Sequence, residues 1–366
     1  MRIVHTEASC GWGGQEIRIL EESSGLIERG HEVLVLCPAE SHIYKEGPRR
    51  GVQTIALPIG RKNLKGFLAL RSWLASHAVD VVNTHSSTDS WLAALACRTL
   101  RKPPAIVRTR HISSPIPDNF PTRWLYAKAV SHVITTGESL RRQLIDKVGV
   151  PAARVTSVPT GIDPVRFSPG DKAAARNALG LDPDKHYLGI VATLRSWKGH
   201  LYLLEAFANA DLPDWELLIV GDGPMREKIE AKVAEMGLGE RVKLVGQQKR
   251  PEDWLRALDI FALPSYANEG VPQAVLQAMF TELPIITTPV GAILEAVTDE
   301  ETALVVPPKD VAALTGALMR LAKAPELRNR LGGTARASAL ESFSRQAMLL
   351  RMEHIFNLQS IHGHEN

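Results

Sequence analysis

The sequence predicts an α/β protein of two domains, each a parallel sheet covered by helices on both faces. Three observations carry that expectation. Short apolar runs alternate with amphipathic helical stretches along nearly the whole chain, the pattern of β-α-β units. The length of 366 residues exceeds what a single core comfortably serves. A stretch rich in proline and glycine, Pro159 to Gly170, divides two such patterns near the middle, as a linker or hinge does.

In the first half, Arg2 to Ala8 reads as a strand, Ser9 to Glu16 as a glycine-rich loop, and the following stretch as a helix ending near Gly30. Strands are expected at 33–36, 53–57, 80–84, 105–109 and 132–136, with helices at 64–76, 88–100, 119–130 and 138–147. The second half predicts strands at 187–193, 216–220, 242–245, 259–263, 285–287 and 303–306, then helices near 310–322, 325–340 and 344–358. The last helix, with Met348, Leu349, Met352, Ile355 and Phe356, is amphipathic. The domain bounds read as 1–165 and 166–342, followed by the helix at 343–360. The tail His362 to Glu365 is expected to be disordered.

Apolar content is 45% and the formal charge is +3. That charge is uneven: residues 1–165 hold 21 basic against 14 acidic side chains, leaving 22 against 26 in the remainder. A basic first half fits an anionic partner, such as a phosphorylated lipid acceptor or a membrane surface, better than nucleic acid, although a solvated basic face is the plain alternative. Residues 61–74 interleave Arg61, Lys62, Lys65 and Arg71 with Phe67, Leu70, Trp73 and Leu74. Such a helix packs its apolar side into a core or lies at an anionic membrane surface. Cys10, Cys37 and Cys97 have no pairing pattern and read as small buried hydrophobes in a reducing cytosol. The N-terminus leads directly into a strand, so no signal peptide is expected, and no uncharged apolar run reaches the ~18 residues a membrane-spanning helix needs. Apart from the tail His362-Gly363-His364-Glu365, which could chelate adventitious metal, no His, Cys or carboxylate cluster has metal-ligand spacing.

Ligands of parallel sheets collect at the carboxyl ends of the strands, and the candidate residues lie there. Gly13 and Gly14 open a helix where exposed N–H groups suit phosphate, or simply make a tight turn. The loop lacks the dinucleotide fingerprint, and no acid closes the second strand, which argues against a nicotinamide-dependent oxidoreductase. His111 ends a strand, a place for a ligand or for a structural hydrogen bond. Arg195 and Lys198, three residues apart before a helix, offer a fork and a point charge for a diphosphate, or form a surface ion pair. Glu269 and Gly270 sit where an apolar helix begins, with Pro272 in its first turn, and the acid either meets a ligand or complements the helix dipole.

Glu269-Gly270-Val271-Pro272, followed eight positions after the acid by Gln277, resembles the Glu-x7-Glu signature of the retaining glycosyltransferases of family 4. Further loops are similar in order: Gly13-Gly14-Gln15-Glu16, the strand-end His111, Pro159-Thr160-Gly161-Ile162-Asp163, Arg195 to Gly199, and Gly221-Asp222-Gly223-Pro224. The resemblance implies a GT-B fold, two Rossmann-like domains with sheets facing an interdomain cleft, and a C-terminal helix at 343–360 that crosses back to pack on the first domain. It also implies transfer of a sugar from a nucleotide sugar, a UDP-sugar foremost, with retained configuration and no metal or other cofactor.

By the resemblance, His111 and Glu269 serve catalysis, and Arg195 and Lys198, with Gly13 and Gly14, hold the donor diphosphate. Glu269, Gly270, Val271 and Gln277 bind the donor sugar and ribose. Gln277 departs from the family's second Glu, and a neutral amide bonds a ribose diol more weakly than a carboxylate. Glu138, Glu295 and Gly221 are further candidates, with first-turn capping and turn geometry as their plain readings. The expected acceptor is a glycan or lipid-linked precursor of a surface polysaccharide or lipopolysaccharide, met in the cytoplasm or at the inner face of the membrane. A small soluble phosphorylated acceptor, or a degenerate nucleotide-sugar-binding protein, is the alternative.

Overall fold

The structure is a computed structural model that describes residues 1–111 and 116–364, with side chains through residue 361. It divides into two compact units: Met1–Gly161 together with Gln346–Asn366, and Ile162–Arg345.

The first unit is built on seven strands, β1 (Arg2–Thr6), β2 (Glu32–Cys37), β3 (Gln53–Ala56), β4 (Val81–Thr84), β5 (Ala105–Arg110), β6 (His132–Thr135) and β7 (Val155–Ser157). They lie in the order β3-β2-β1-β4-β5-β6-β7, and every pairing is parallel. The last of them occupies a stretch expected only to precede the domain boundary. The second unit has β8 (His186–Val191), β9 (Trp215–Val220), β10 (Val242–Gly246), β11 (Ile260–Leu263), β12 (Ile285–Thr287) and β13 (Leu304–Val305). Their order is β10-β9-β8-β11-β12-β13, again all parallel. In both sheets the first strand is central and the strand order reverses beside it, which opens a crevice at the carboxyl ends.

Sheets covered on both faces need apolar side chains on both, which is why these strands are near-continuous runs of Val, Ile and Leu. Phe261, Ala262, Leu263, Ile285 and Ile286 are fully buried in the second unit's core. The first unit has a core on each side of its sheet. One of them is completed by the terminal helix Arg345–His364, whose Met348, Leu349, Met352, Ile355 and Phe356 pack with Ile3, Val81, Val107 and Val158.

Residues 159–170, read as a linker or hinge, carry the boundary between the units and are packed at both ends. Arg18 donates from Nη1 to Val158 O at 2.8 Å and Thr160 Oγ1 at 3.2 Å, while Ile162 exchanges backbone hydrogen bonds with Phe343 and Arg345, and Phe167 enters the second core. The helix expected to end near 358 continues to His364, into the tail expected to be disordered from His362; side chains from His362 onward, and residues 365 and 366, lie outside the described residues. Cys10 is exposed, whereas Cys37 and Cys97 are buried as expected. It sits in the glycine-rich loop, where no strand or helix carries it into a core.

Candidate active site

Backbone contacts between two loops create the second unit's site. After β8 the chain passes Arg195, makes a short turn over Ser196–Lys198 and reaches Gly199 at φ +82° before helix His200–Asn209. A Cβ at Gly199 would lie 2.0 Å from Pro264 O, so only glycine lets the β8 loop press against the loop after β11. Tyr266 N–H donates across this seam to Trp197 O at 2.8 Å. A third loop, after β12, closes the other side. Gly291 has φ +62°, and a Cβ there would stand 2.0 Å from Glu269 O, which itself accepts the Ala292 N–H at 3.3 Å.

These seams bring Lys198 to Glu269. The ammonium donates to both carboxylate oxygens, at 2.7 and 2.9 Å, and Ser265 Oγ donates to Oε1 at 2.6 Å. Glu269 is only 3% exposed. Its position corrects the expectation that it stands at a helix start: helix Gln273–Phe280 begins after Pro272, which caps it in an extended conformation. The anion compensating Lys198 is therefore Glu269 itself, across 71 residues of sequence. Asn268, immediately before, has a positive φ of 57°, a conformation that costs a non-glycine residue energy and recurs at functional sites.

The remaining candidates are spread around that pair. Arg195 is exposed and its guanidinium lies 5.8 Å from the Trp197 ring centre. Gly270 is half-buried, Val271 is buried, and Gln277 is half-buried in the helix that follows. Gly221 is a tight crossing: at φ +142° its Cβ would meet Ala192 O at 2.0 Å, so the turn reading accounts for it. Glu295 ends the short turn Ile293–Glu295.

In the first unit, Gly13 is extended at φ −171° and precedes helix Gly14–Glu28. Gln15 on this helix bonds the Glu7 carboxyl, which also accepts the Ser9 N–H at 2.7 Å. Glu7 is fully buried at the end of β1; burial and the neighbouring Asp89 push its carboxyl up to about 8. His111 directly follows β5. Its Nε2 is 2.8 Å from His85 Nδ1, and His85 Nε2 is 2.9 Å from His5 Nδ1. Burial, reinforced by the positive charge of Arg18, holds His111 well below the usual histidine range, so its ring is neutral. Glu138 opens helix Glu138–Gln143 and pairs with Arg141 at 2.7 Å, which is the first-turn reading.

Sequence reasoning missed Glu7, Glu22, His5 and His85. His5 lies within an apolar strand and Glu22 within a helix, and nothing in their local pattern marks them. Among the described residues no group of three or more His, Cys, Asp or Glu side chains is arranged to hold a metal ion, and no helix is long and apolar enough to cross a membrane.

Comparison with known proteins agrees over both units. The family described as "Glycosyltransferase Family 4" matches residues 12–166, and "Glycosyl transferases group 1" matches residues 171–338. The lipopolysaccharide core biosynthesis mannosyltransferase LpsB of Rhizobium meliloti is 37% identical over 202 residues, which span 50% of this chain and 57% of that protein. A D-inositol 3-phosphate glycosyltransferase of Stackebrandtia nassauensis is 28% identical over 88% of this chain and 82% of its own length. Among solved structures, a glycosyltransferase of Rickettsia africae superposes with a TM-score of 0.87 at 18% identity, covering 98% of each chain. Anabaena HepE in complex with UDP superposes with 0.85 at 19% identity, covering 98% of this chain and 100% of its own. With two Rossmann-like sheets of seven and six strands, and with both halves matched, the chain has the GT-B fold and belongs to the group 1 glycosyltransferases of family 4.

Proposed function

We propose that this protein transfers a sugar from a nucleotide sugar, a UDP-sugar, to a glycan or lipid-linked acceptor in surface polysaccharide or lipopolysaccharide synthesis. The observation that carries the reading is the buried Lys198–Glu269 pair at the carboxyl ends of β8 and β11, where the strand order reverses. A carboxylate fixed by an ammonium and a hydroxyl accepts hydrogen bonds from sugar hydroxyls, while the remaining ammonium proton meets a phosphate. Arg195 adds a second cation at the mouth of the same loop. Together they offset the charge that grows on the leaving diphosphate, the task a divalent ion performs elsewhere. In this scheme the configuration is retained by front-face attack, the leaving phosphate takes the acceptor proton, and neutral His111 orients the sugar. Support for the donor class comes from HepE, whose structure holds UDP, and from a relative named as a UDP-galactose transferase, 28% identical over 71% of this chain.

Two relatives named for lipopolysaccharide or undecaprenol-diphosphate acceptors favour the lipid-linked reading. The inositol-phosphate relatives favour a small phosphorylated acceptor as the second reading. A location at the inner membrane face is part of the first proposal. It is motivated by exposed Leu64, Leu68, Leu95 and Phe120 beside Lys62, Lys65 and Arg98.

Incubating the protein with UDP-, GDP- and ADP-sugars, without added metal, tests the donor site by thermal shift and nucleotide release. Stabilisation by a UDP-sugar, with slow release that Glu269→Gln reduces by about 100-fold or more, an effect the size of losing one preorganised transition-state contact, is the expected outcome. No shift with any donor overturns it.

A further inference from the structure

Three histidine rings form a continuous row inside the first unit. His5 on β1 is fully buried, His85 follows β4 with 5% exposure, and His111 follows β5. The His5 and His85 rings stack with centres 5.1 Å apart, and the His85 and His111 centres are also 5.1 Å apart. The two nitrogen-to-nitrogen contacts, at 2.9 and 2.8 Å, are hydrogen bonds between neutral rings, and each joins an Nδ1 to an Nε2. The inner end of the row, His5 Nε2, lies 3.9 Å from Glu22 Oε1.

We propose that His5, His85 and Glu22 are positioning residues for His111: the row transmits the protonation state of Glu22 and so decides which His111 ring nitrogen carries the hydrogen. The stoichiometry of the hydrogen bonds permits only two arrangements of the neutral rings. With Glu22 ionised, His5 Nε2–H points to the carboxylate, His85 Nε2–H donates to His5 Nδ1, and His111 Nε2–H donates to His85 Nδ1. His111 Nδ1 is then a bare acceptor. With Glu22 protonated, its O–H points to His5 Nε2, each ring donates from Nδ1 to the next, and His111 carries its hydrogen on Nδ1. Conversion from the first arrangement to the second is balanced. One proton enters at His111 Nδ1, each ring passes on its Nε2 proton, and one proton arrives on Glu22; no ring becomes a cation.

The surroundings favour this coupling. Among the described residues, the following groups face the row. Arg18, on the same helix as Glu22, stands 3.6 Å from Glu22 Oε2. Asn83 on β4 donates to Glu22 Oε1 at 3.3 Å and accepts from Thr109 Oγ1 of β5 at 2.9 Å. Asp89, on the helix after β4, accepts the His85 backbone N–H at 2.8 Å. From the terminal helix the Phe356 ring meets His5, edge-on at 6.4 Å, and Met352 Sδ lies 4.0 Å from Arg18 Nη2. Among the described residues His5 Nε2 and Glu22 Oε2 have no hydrogen-bond partner. Leaving such buried atoms unpaired is costly, and closing the 3.9 Å gap relieves His5 Nε2. Burial pushes the Glu22 carboxyl up to about 7 against the opposing pull of Arg18, and burial pulls His5 down to about 3. The rings therefore stay neutral while Glu22 titrates.

The consequence for transfer rests on the proposed function, since a bare Nδ1 accepts from a sugar hydroxyl and an N–H donates to a sugar oxygen. The coupling itself does not, so its test uses no substrate. Full-length protein labelled with 15N-histidine is followed by NMR on either side of about pH 7, with His111→Ala used to assign the His111 nitrogens. The expected result is a reversal of the His111 tautomer, Nδ1 changing from bare nitrogen above the Glu22 midpoint to N–H below it. Glu22→Gln, which cannot change protonation state in this range, should hold a single His111 tautomer throughout, and His85→Phe, which keeps a ring but breaks the row, should abolish the pH response. A wild-type tautomer that does not change, or a reversal that survives in either folded variant, overturns the proposal. The wild-type titration stands even where a variant fails to fold, and either result leaves the donor assays independent.

Discussion

Lys198 and Glu269 illustrate why a single side chain can matter to both stability and chemistry. The pair is nearly dry, with side-chain exposures of 19% and 4%. Removing one partner from such a pair leaves an uncompensated charge, at a cost of about 3–5 kcal/mol. Lys198→Ala should therefore lower the stability of the second unit by an amount in this range in chemical denaturation, besides weakening donor binding. Replacing both residues with apolar ones of similar size should recover most of that stability but no donor binding. Gly291 makes a sharper case. Any side chain there meets the backbone of Glu269 at 2.0 Å, so Gly291→Ala should displace the carboxylate and abolish the thermal shift with nucleotide sugar even where the fold survives.

At the scale of elements, the helix Leu64–Ser76 packs one side into the core and leaves leucines exposed on the other. Asn63 caps it by accepting the Gly66 N–H at 2.8 Å, and Leu70 and Leu74 enter the core while Leu64 and Leu68 remain exposed. The apolar residues of its pattern, Phe67, Leu70, Trp73 and Leu74, thus pack on the core side, and the exposed leucines are what the proposed membrane contact would use. Leu64→Glu with Leu68→Glu should leave the melting temperature nearly unchanged and reduce sedimentation with anionic lipid vesicles; retained vesicle binding would remove the membrane contact from the proposal. Asn63→Ala should instead cost about 1 kcal/mol through the lost cap. The terminal helix is a different matter. Phe356 is fully buried, and Phe356→Ala should destabilise the first unit by about 3–5 kcal/mol, read as the loss of its denaturation transition at lower denaturant.

For the whole molecule, buried titratable groups set the pH dependence of stability. His5, His132 and His200 are held down to about 3, 4 and 4, chiefly by burial. Their unfolded forms bind protons first, so stability is full above about 6.5 and falls as pH drops toward 4. Each contributes up to about 1.4 kcal/mol for every pH unit crossed. Glu7 and Glu22 have the opposite sign. Their carboxyls rise from 4.5 to about 8 and about 7, so their contribution is full below 4.5 and is lost as pH rises through those values. Above pH 6.5 only the carboxyl effect remains. Stability should decline between about 6.5 and 8, and Glu7→Gln should flatten that decline in denaturation measured across the range.

The two-domain α/β architecture was legible in the sequence because buried parallel strands must be apolar along their whole length, and their spacing by helices leaves few other topologies. The loops after β8 and β11 were legible as well, since Gly199, Gly270, Pro272 and the charged residues among them are local signals. What tertiary structure alone decided is partnership. Lys198 and Glu269 are 71 residues apart, and which anion meets the ammonium depends on two backbones pressed together at Gly199. His5, His85, His111 and Glu22 lie on four separate elements, and their row exists only because β1, β4 and β5 are neighbours in the sheet with helix Gly14–Glu28 packed across it. A local pattern reports how a residue sits on its own strand or helix; distances between elements are set by the packing of the entire unit, which no window of sequence contains.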